Sequence, residues 1–299
     1  MRRNLTILST VLVTLIAVGL FLASGCGEKA EDISVAPTEI EFVTNYDSVL
    51  ATAQQKGQKA VIDFYTEWCT WCKRLDTVTF VDSTVIELAG TMVFGKIDAE
   101  KDTVTAKKYG VSGYPTVLLI NDDGSEIDRI AGYLPPDEFT ETINNYLKDI
   151  GTLADYLRKA DTNATTEVNY VLGEKYTGRG MYDEARSYYE KVIKVDPDNE
   201  DGHTEDAMMG LADLLLREKE YDKSIVQLDK VIKKFRGSET ATEAELWIAY
   251  AERKKGDTAA AILTYEKYIK NHPESENIEK VKERIENMKN PPPPEEEGQ

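Results

Sequence analysis

The period of the apolar positions changes near residue 151. Before that point, short apolar runs alternate with stretches of helical spacing. "YDSVLATAQQKGQ" (46–58) carries apolar residues at helical intervals, and "AVIDFY" (60–65) is an apolar run of the length found in buried strands. The pattern then predicts a helix starting at residues 69–72, a strand over 91–98, a helix over 99–110 and a strand over 115–120. A further strand over 125–133 pairs with the last across the turn formed by Asn121, Asp122, Asp123 and Gly124. A helix from about Pro136 to Lys148 closes the series. Helices alternating with strands, ending in a hairpin, predict an α/β domain over 40–150.

After residue 151 the spacing is helical nearly throughout, and it repeats. Residues 169–197 carry Leu172, Gly173, Tyr176, Gly180, Tyr182, Ala185, Tyr189 and Pro197. Weaker copies align Leu211, Ala212, Leu215, Tyr221, Ser224 and Leu228, then Ile248, Ala249, Gly256, Ala261, Tyr265 and Pro273. These offsets resemble the tetratricopeptide (TPR) repeat, with Asn169 where that family usually has Trp and Tyr189 where it has Phe. The resemblance implies an all-α domain of stacked helix pairs over 151–290 that binds protein. Each pair leaves an apolar face that only a neighbour can bury, so about three are needed. Residues 274–289 then read as a capping helix with a charged outer face. The tail "PPPPEEEGQ" (291–299) is too poor in apolar residues to pack and reads as disordered.

Composition narrows the partners. With 54 acidic and 36 basic residues the formal charge is −18. A phosphate backbone is repelled by such a chain, which argues against nucleic acid. Arg2 and Arg3 precede an uncharged apolar run over 5–22, the layout of a secretory signal or of an uncleaved anchor. Ala23, Ser24 and Gly25 directly before Cys26 resemble the lipobox of bacterial lipoproteins. That resemblance implies a signal peptide over 1–25, lipidation of Cys26, and a polar tether over 26–39 that holds the protein outside the cytoplasm. Gly27 after the lipidated cysteine favours the outer membrane slightly over the inner.

One of three cysteines is thereby assigned to lipid, leaving Cys69 and Cys72 in "EWCTWCKRL". A cysteine at a helix start faces unpaired backbone N–H groups and the positive end of the helix dipole, both favouring thiolate. Cys69 is expected there, exposed, with Cys72 one turn deeper on the same face, so that the first attacks an external disulfide and the second resolves it. Two other readings compete. Zinc needs about four ligands, and only His203 and His272, both in turns of the helical half, are available to join the pair. A structural disulfide across so short a loop gains little from the cross-link.

Residues 60–147 resemble thioredoxin. "VIDFYTEWCTWCK" matches that family's strand and active-site run, with Asp63 six residues before Cys69, and "YGVSGYPT" matches its cis-proline loop. Gly132 in "RIAGY" matches the glycine after its hairpin. Thr70 and Trp71 replace the usual Gly-Pro between the cysteines. The resemblance implies a thioredoxin fold, a central mixed sheet flanked by helices. It also implies that Asp63 is a buried acid exchanging the proton of Cys72, that Pro115 faces the disulfide and shapes the substrate groove, and that Tyr114 offers backbone to an extended substrate. Trp68 and Trp71 supply apolar surface around the sulfurs. Lys73 is read as a solvated helix residue.

The function expected is that of a membrane-anchored thiol-disulfide oxidoreductase, acting as a reductase, whose repeats bind a protein partner and which uses no cofactor and no metal. Its partners are protein disulfides or dithiols and a thiol electron donor or acceptor. The alternative is an envelope scaffold lipoprotein that works through its repeats, with the α/β domain as a docking module.

Overall fold

The structure, a computed structural model, describes residues 37–290. The signal segment 1–25, Cys26, the tether up to residue 36 and the tail 291–299 lie outside the described residues. Among the described residues, no helix is long and apolar enough to cross a membrane.

Helix α1 (Tyr46–Lys56) begins where the Asn45 side chain accepts from the Ser48 N–H at 3.0 Å, and it ends at Gly57, whose φ of 59° suits a residue without a Cβ. Strands β1 (Ala60–Tyr65), β2 (Val93–Asp98), β3 (Thr116–Ile120) and β4 (Glu126–Ala131) form one sheet in the order β2-β1-β3-β4. β1 runs parallel to β2 and antiparallel to β3, and β3 is antiparallel to β4. The sheet is therefore mixed, as the thioredoxin resemblance implies.

Strand alternation divides the core between the two faces of the sheet. Ala60, Ile62, Phe64, Leu118 and Ile120 pack against Val49 and Ala53 of α1. Val61, Val117 and Leu119 pack against Leu75 and against Phe139 and Ile143 of a later helix. Because β1 is covered on both faces, it reads in sequence as a nearly continuous apolar run.

Three elements are shorter or less regular than the sequence pattern predicts, each because another hydrogen bond wins. The helix at the cysteines, α2 (Thr70–Arg74), gives way to a π-helical turn, Leu75–Thr79, closed by the Phe80 N–H on the Leu75 carbonyl at 2.9 Å. α3 (Ser83–Leu88) follows, and β2 starts at Val93 rather than at 91 because the Thr91 and Met92 N–H groups are taken by the Leu88 carbonyl. The helix expected over 99–110 is reduced to α4 (Thr103–Lys108), since the Asp98 side chain holds a turn through the Glu100 N–H at 3.0 Å and Asp102 caps a new start at the Thr105 N–H. The last helix of this half, α5 (Pro136–Leu147), begins with proline inside its first turn.

The second half is helical: α6 (Leu153–Thr162), then the pairs α7 (Thr166–Thr177) with α8 (Tyr182–Val195), α9 (Thr204–Arg217) with α10 (Tyr221–Lys234), and α11 (Glu239–Lys255) with α12 (Thr258–Asn271), and finally α13 (Ile278–Lys289). Tyr189 shows why the repeat has glycines: a Cβ on Gly173 would lie 2.4 Å from its ring, and one on Gly210 2.6 Å. Asn169, in place of the bulkier residue expected, is buried, and its amide donates to the Thr165 carbonyl at 2.8 Å. The acidic stretch 196–201 is a turn, with the Asp196 carboxylate accepting from the Glu200 and Asp201 N–H groups.

The halves meet across buried charges. The fully buried Asp128 of β4 accepts from the N–H groups of Arg129 (2.7 Å) and Leu153 (2.6 Å), from Lys175 Nζ (2.7 Å) and from Arg179 Nη2 (2.8 Å). Arg129 donates to the carbonyls of Gly178 and Tyr109 and pairs with Glu126. Beside it, Gly110 approaches the turn after α7 so closely that a Cβ there would lie 2.1 Å from the Arg179 carbonyl oxygen. The two halves accordingly belong to one compact unit.

Candidate active site

β1 ends at Tyr65, and the chain turns through Thr66, whose carbonyl accepts from the Cys69 N–H at 3.1 Å. This turn places Cys69 at the N-cap of α2, where its Sγ accepts from the Cys72 N–H at 3.0 Å. The two cysteines are joined as a disulfide. Cys69 is only 4% accessible and Cys72 1%, so Cys69 is not the open sulfur that its place at a helix start suggests. What is exposed instead is the tryptophan before each cysteine, Trp68 at 65% and Trp71 at 58%.

Each tryptophan is held by an aromatic neighbour. Trp68 meets the Tyr114 ring edge-on at 5.9 Å, and its Nε1 donates to Glu100 Oε1 at 2.9 Å. Trp71 stacks on Tyr133 at 5.5 Å, and the Arg74 guanidinium lies over the same Tyr133 ring at 5.3 Å. The Tyr114–Pro115 peptide bond is cis, and the Pro115 carbonyl accepts from the Gly132 N–H at 2.9 Å, tying the proline loop to the segment that carries Tyr133. Lys73 is exposed, as a solvated helix residue should be.

Asp63 lies at the centre of β1 and is fully buried, with no hydrogen-bond partner on either carboxylate oxygen. By alternation it shares the face of Val61, against which Leu75 packs, and Cys72 is buried one helical turn before Leu75. Burial raises its pKa to about 7, partly opposed by the positive charge of Lys96 and reinforced by the negative charge of Asp76. Lys96 Nζ stands 3.9 Å from Asp63 Oδ2 and is bonded to Asp76.

No motif in the sequence assigns a role to Lys96, Asp76, Glu100 or Tyr133, and only the fold brings them to the site. A signal for Lys96 does exist, since a cation in the middle of the mostly apolar strand "VFGKID" needs a partner, and the parallel register sets it beside Asp63. His203 and His272 lie at helix ends of the repeat domain, and among the described residues no group of three His, Cys, Asp or Glu side chains converges to hold a metal ion.

Against known proteins, residues 46–147 match the family model described as thioredoxin-like domain, residues 166–199 the tetratricopeptide repeat, and residues 203–282 a family described as outer membrane lipoprotein. Thioredoxin of Chlamydia caviae is 34% identical over 102 residues, which cover 34% of this chain and 91% of that protein. The thiol:disulfide interchange protein DsbD of Haemophilus ducreyi is 32% identical over 116 residues, 37% of this chain and 20% of that protein. The chain thus spans about a fifth of the length of the DsbD relatives it matches. Among solved structures, a thioredoxin from Thermus thermophilus superposes with a TM-score of 0.33 at 24% identity, covering 36% of this chain and 86% of that one. Through the α/β half that carries the Cys69–Cys72 pair, and with 91% of the Chlamydia caviae thioredoxin matched at 34% identity, the chain belongs to the thioredoxin family.

Proposed function

We propose that the protein is an extracytoplasmic, lipid-anchored thiol-disulfide oxidoreductase that reduces protein disulfides, with its helical repeats engaging a protein partner. The observation that carries this reading is the Cys69–Cys72 disulfide at the start of α2, flanked by exposed aromatic rings, in a domain whose central strand holds a buried acid with no hydrogen-bond partner.

In the reduced protein the Cys69 thiolate is favoured by its N-cap position and attacks one sulfur of a client disulfide. A mixed disulfide forms and the first client thiolate leaves. Asp63 takes the proton of Cys72, whose sulfur then attacks Cys69 and expels the second client thiolate. The client gains two electrons, and the Cys69–Cys72 bond that forms must be reduced again by an external dithiol. Trp68, Trp71, Tyr114 and Pro115 form the surface on which an extended client segment lies.

Location outside the cytoplasm is supported by the signal-like amino terminus, by the thiol:disulfide interchange relatives and by the outer membrane lipoprotein match over 203–282. Cys26 is the proposed lipid site, with the outer membrane favoured over the inner. The same 203–282 match favours a second reading, a scaffold lipoprotein working through its repeats. The two readings separate on substitution of the cysteines. Under the first, Cys69→Ser abolishes disulfide reduction and the biological role together, and Cys72→Ser accumulates mixed disulfides whose trapped proteins name the clients. Under the second, Cys69→Ser keeps the biological role and Cys72→Ser traps nothing.

A further inference from the structure

Asp63 and Lys96 face each other across the parallel pairing of β1 and β2, yet they do not close into a hydrogen-bonded pair. Lys96 Nζ stops 3.9 Å from Asp63 Oδ2, and neither oxygen of the carboxylate has a hydrogen-bond partner. An ammonium on a flexible four-carbon stem could close that gap, and a desolvated carboxylate would gain from it. What holds the ammonium away is a third residue. Asp76 follows Cys72 by four positions, so it emerges on the helix face that carries the resolving cysteine, and its carboxylate binds Lys96 directly. The Lys96 ammonium also lies 4.9 Å from the Tyr65 ring centre and 5.6 Å from that of Phe42, which wall its outward position. Asp76 is about one-third exposed and Lys96 less so, which puts the pair at the edge of the core and Asp63 inside it.

We propose that Asp76 is a positioning residue of the redox centre: by engaging Lys96 it keeps the ammonium off Asp63 and leaves the buried carboxyl free to exchange a proton with Cys72. This rests on the redox reading of the Cys69–Cys72 pair. The proton balance is simple, because the proton leaving Cys72 as its sulfur attacks Cys69 goes to the Asp63 carboxylate and is later lost to solvent. A carboxylate locked onto Lys96 would be a poorer acceptor for that proton.

The charged groups at Asp63 come from two neighbouring elements, Lys96 from β2 and Asp76 from the π-helical turn, while Tyr65, two residues on in the same strand, shares its face by alternation. Of these, Lys96 and Asp76 act on Asp63 through charge, with opposite signs.

The test is a carbon NMR titration of the Asp63 carboxyl in the full oxidised chain, paired with the pH profile for reduction of a synthetic peptide disulfide by the reduced chain. Asp76→Asn is expected to lower the Asp63 midpoint by about one pH unit or more, tenfold in proton affinity, and Lys96→Gln to raise it by a similar amount. Asp76→Glu should restore the parent midpoint, and the acidic limb of the rate profile should follow the same order. An Asp63 midpoint that stays put or rises in Asp76→Asn overturns the proposal, even when the parent reduces the peptide well. Should the midpoints move as expected while the parent reduces no disulfide, the charge arrangement stands and the redox reading fails.

Discussion

Arg129 Nη1 donates a 2.6 Å hydrogen bond to the Gly178 carbonyl, so a side chain from the last strand of the redox half closes the end of the first repeat helix. Next to it, Asp128 is fully buried under two cations from the repeat half, Lys175 and Arg179. The repeats are therefore built onto the redox domain, and a partner bound to them would be held in a fixed direction from the disulfide.

Asp128→Ala should reveal how much this joint contributes. Removing one side of a buried ion pair strands the other, at a cost of about 3–5 kcal/mol. Urea unfolding of the parent should show one transition, and the variant should separate into two, with the earlier one reporting the repeats.

Gly173→Ala should destabilise the repeats even though alanine is the better helix former by about 1 kcal/mol. The added methyl meets the Tyr189 ring at 2.4 Å, and overpacking of this kind costs about 1–3 kcal/mol. Thermal unfolding followed by circular dichroism checks the sign, which opposes the propensity scale.

Much of this was legible from the chain. The apolar run at 60–65, the spacing of Cys69 and Cys72 and the repeat offsets around Tyr189 are local signals, and each depends on residues near in sequence. What was hidden depends on contacts across long separations. Asp128 reads as an ordinary strand residue until Lys175 and Arg179 are brought to it, and Asp76 as a surface acid until Lys96 arrives from β2. The helix expected over 99–110 is longer than the one formed because the side chains of Asp98, at the end of β2, and of Asp102, inside the expected helix, take backbone N–H groups for a turn and a cap, which a periodic pattern does not reveal. The accessibility of Cys69 also misled, because a position at a helix start fixes the sulfur's electrostatics and leaves its exposure to the neighbouring packing.

Asp63 should make stability fall as pH rises. Its folded pKa of about 7 lies above its unfolded value near 4, so the folded chain holds a proton that the unfolded chain has lost. The penalty is absent below about pH 4, grows between pH 4 and 7, and is complete above. Asp63→Asn should therefore be more stable than the parent by roughly 4 kcal/mol at pH 8 and equal to it at pH 4, measured by urea unfolding of the oxidised protein at both pH values.

Trp71→Ala removes the ring stacked on Tyr133 and opens one wall beside the disulfide. An aromatic contact of this type contributes about 0.5–1.5 kcal/mol, so kcat/KM for a protein disulfide should fall roughly two- to thirteenfold. The rate of reaction of the reduced pair with a small uncharged disulfide should change far less, which separates client binding from chemistry.

The central claim is that Cys69 and Cys72 exchange electrons reversibly with outside thiols. Equilibrating the full chain with graded ratios of oxidised and reduced dithiothreitol, then alkylating free thiols and counting them by mass, tests it directly. The account predicts a single two-electron transition, following a slope of about 30 mV per tenfold change in the ratio, the same from both directions and absent in Cys69→Ser. A bond that resists reduction across the whole range, or that does not re-form once broken, contradicts it.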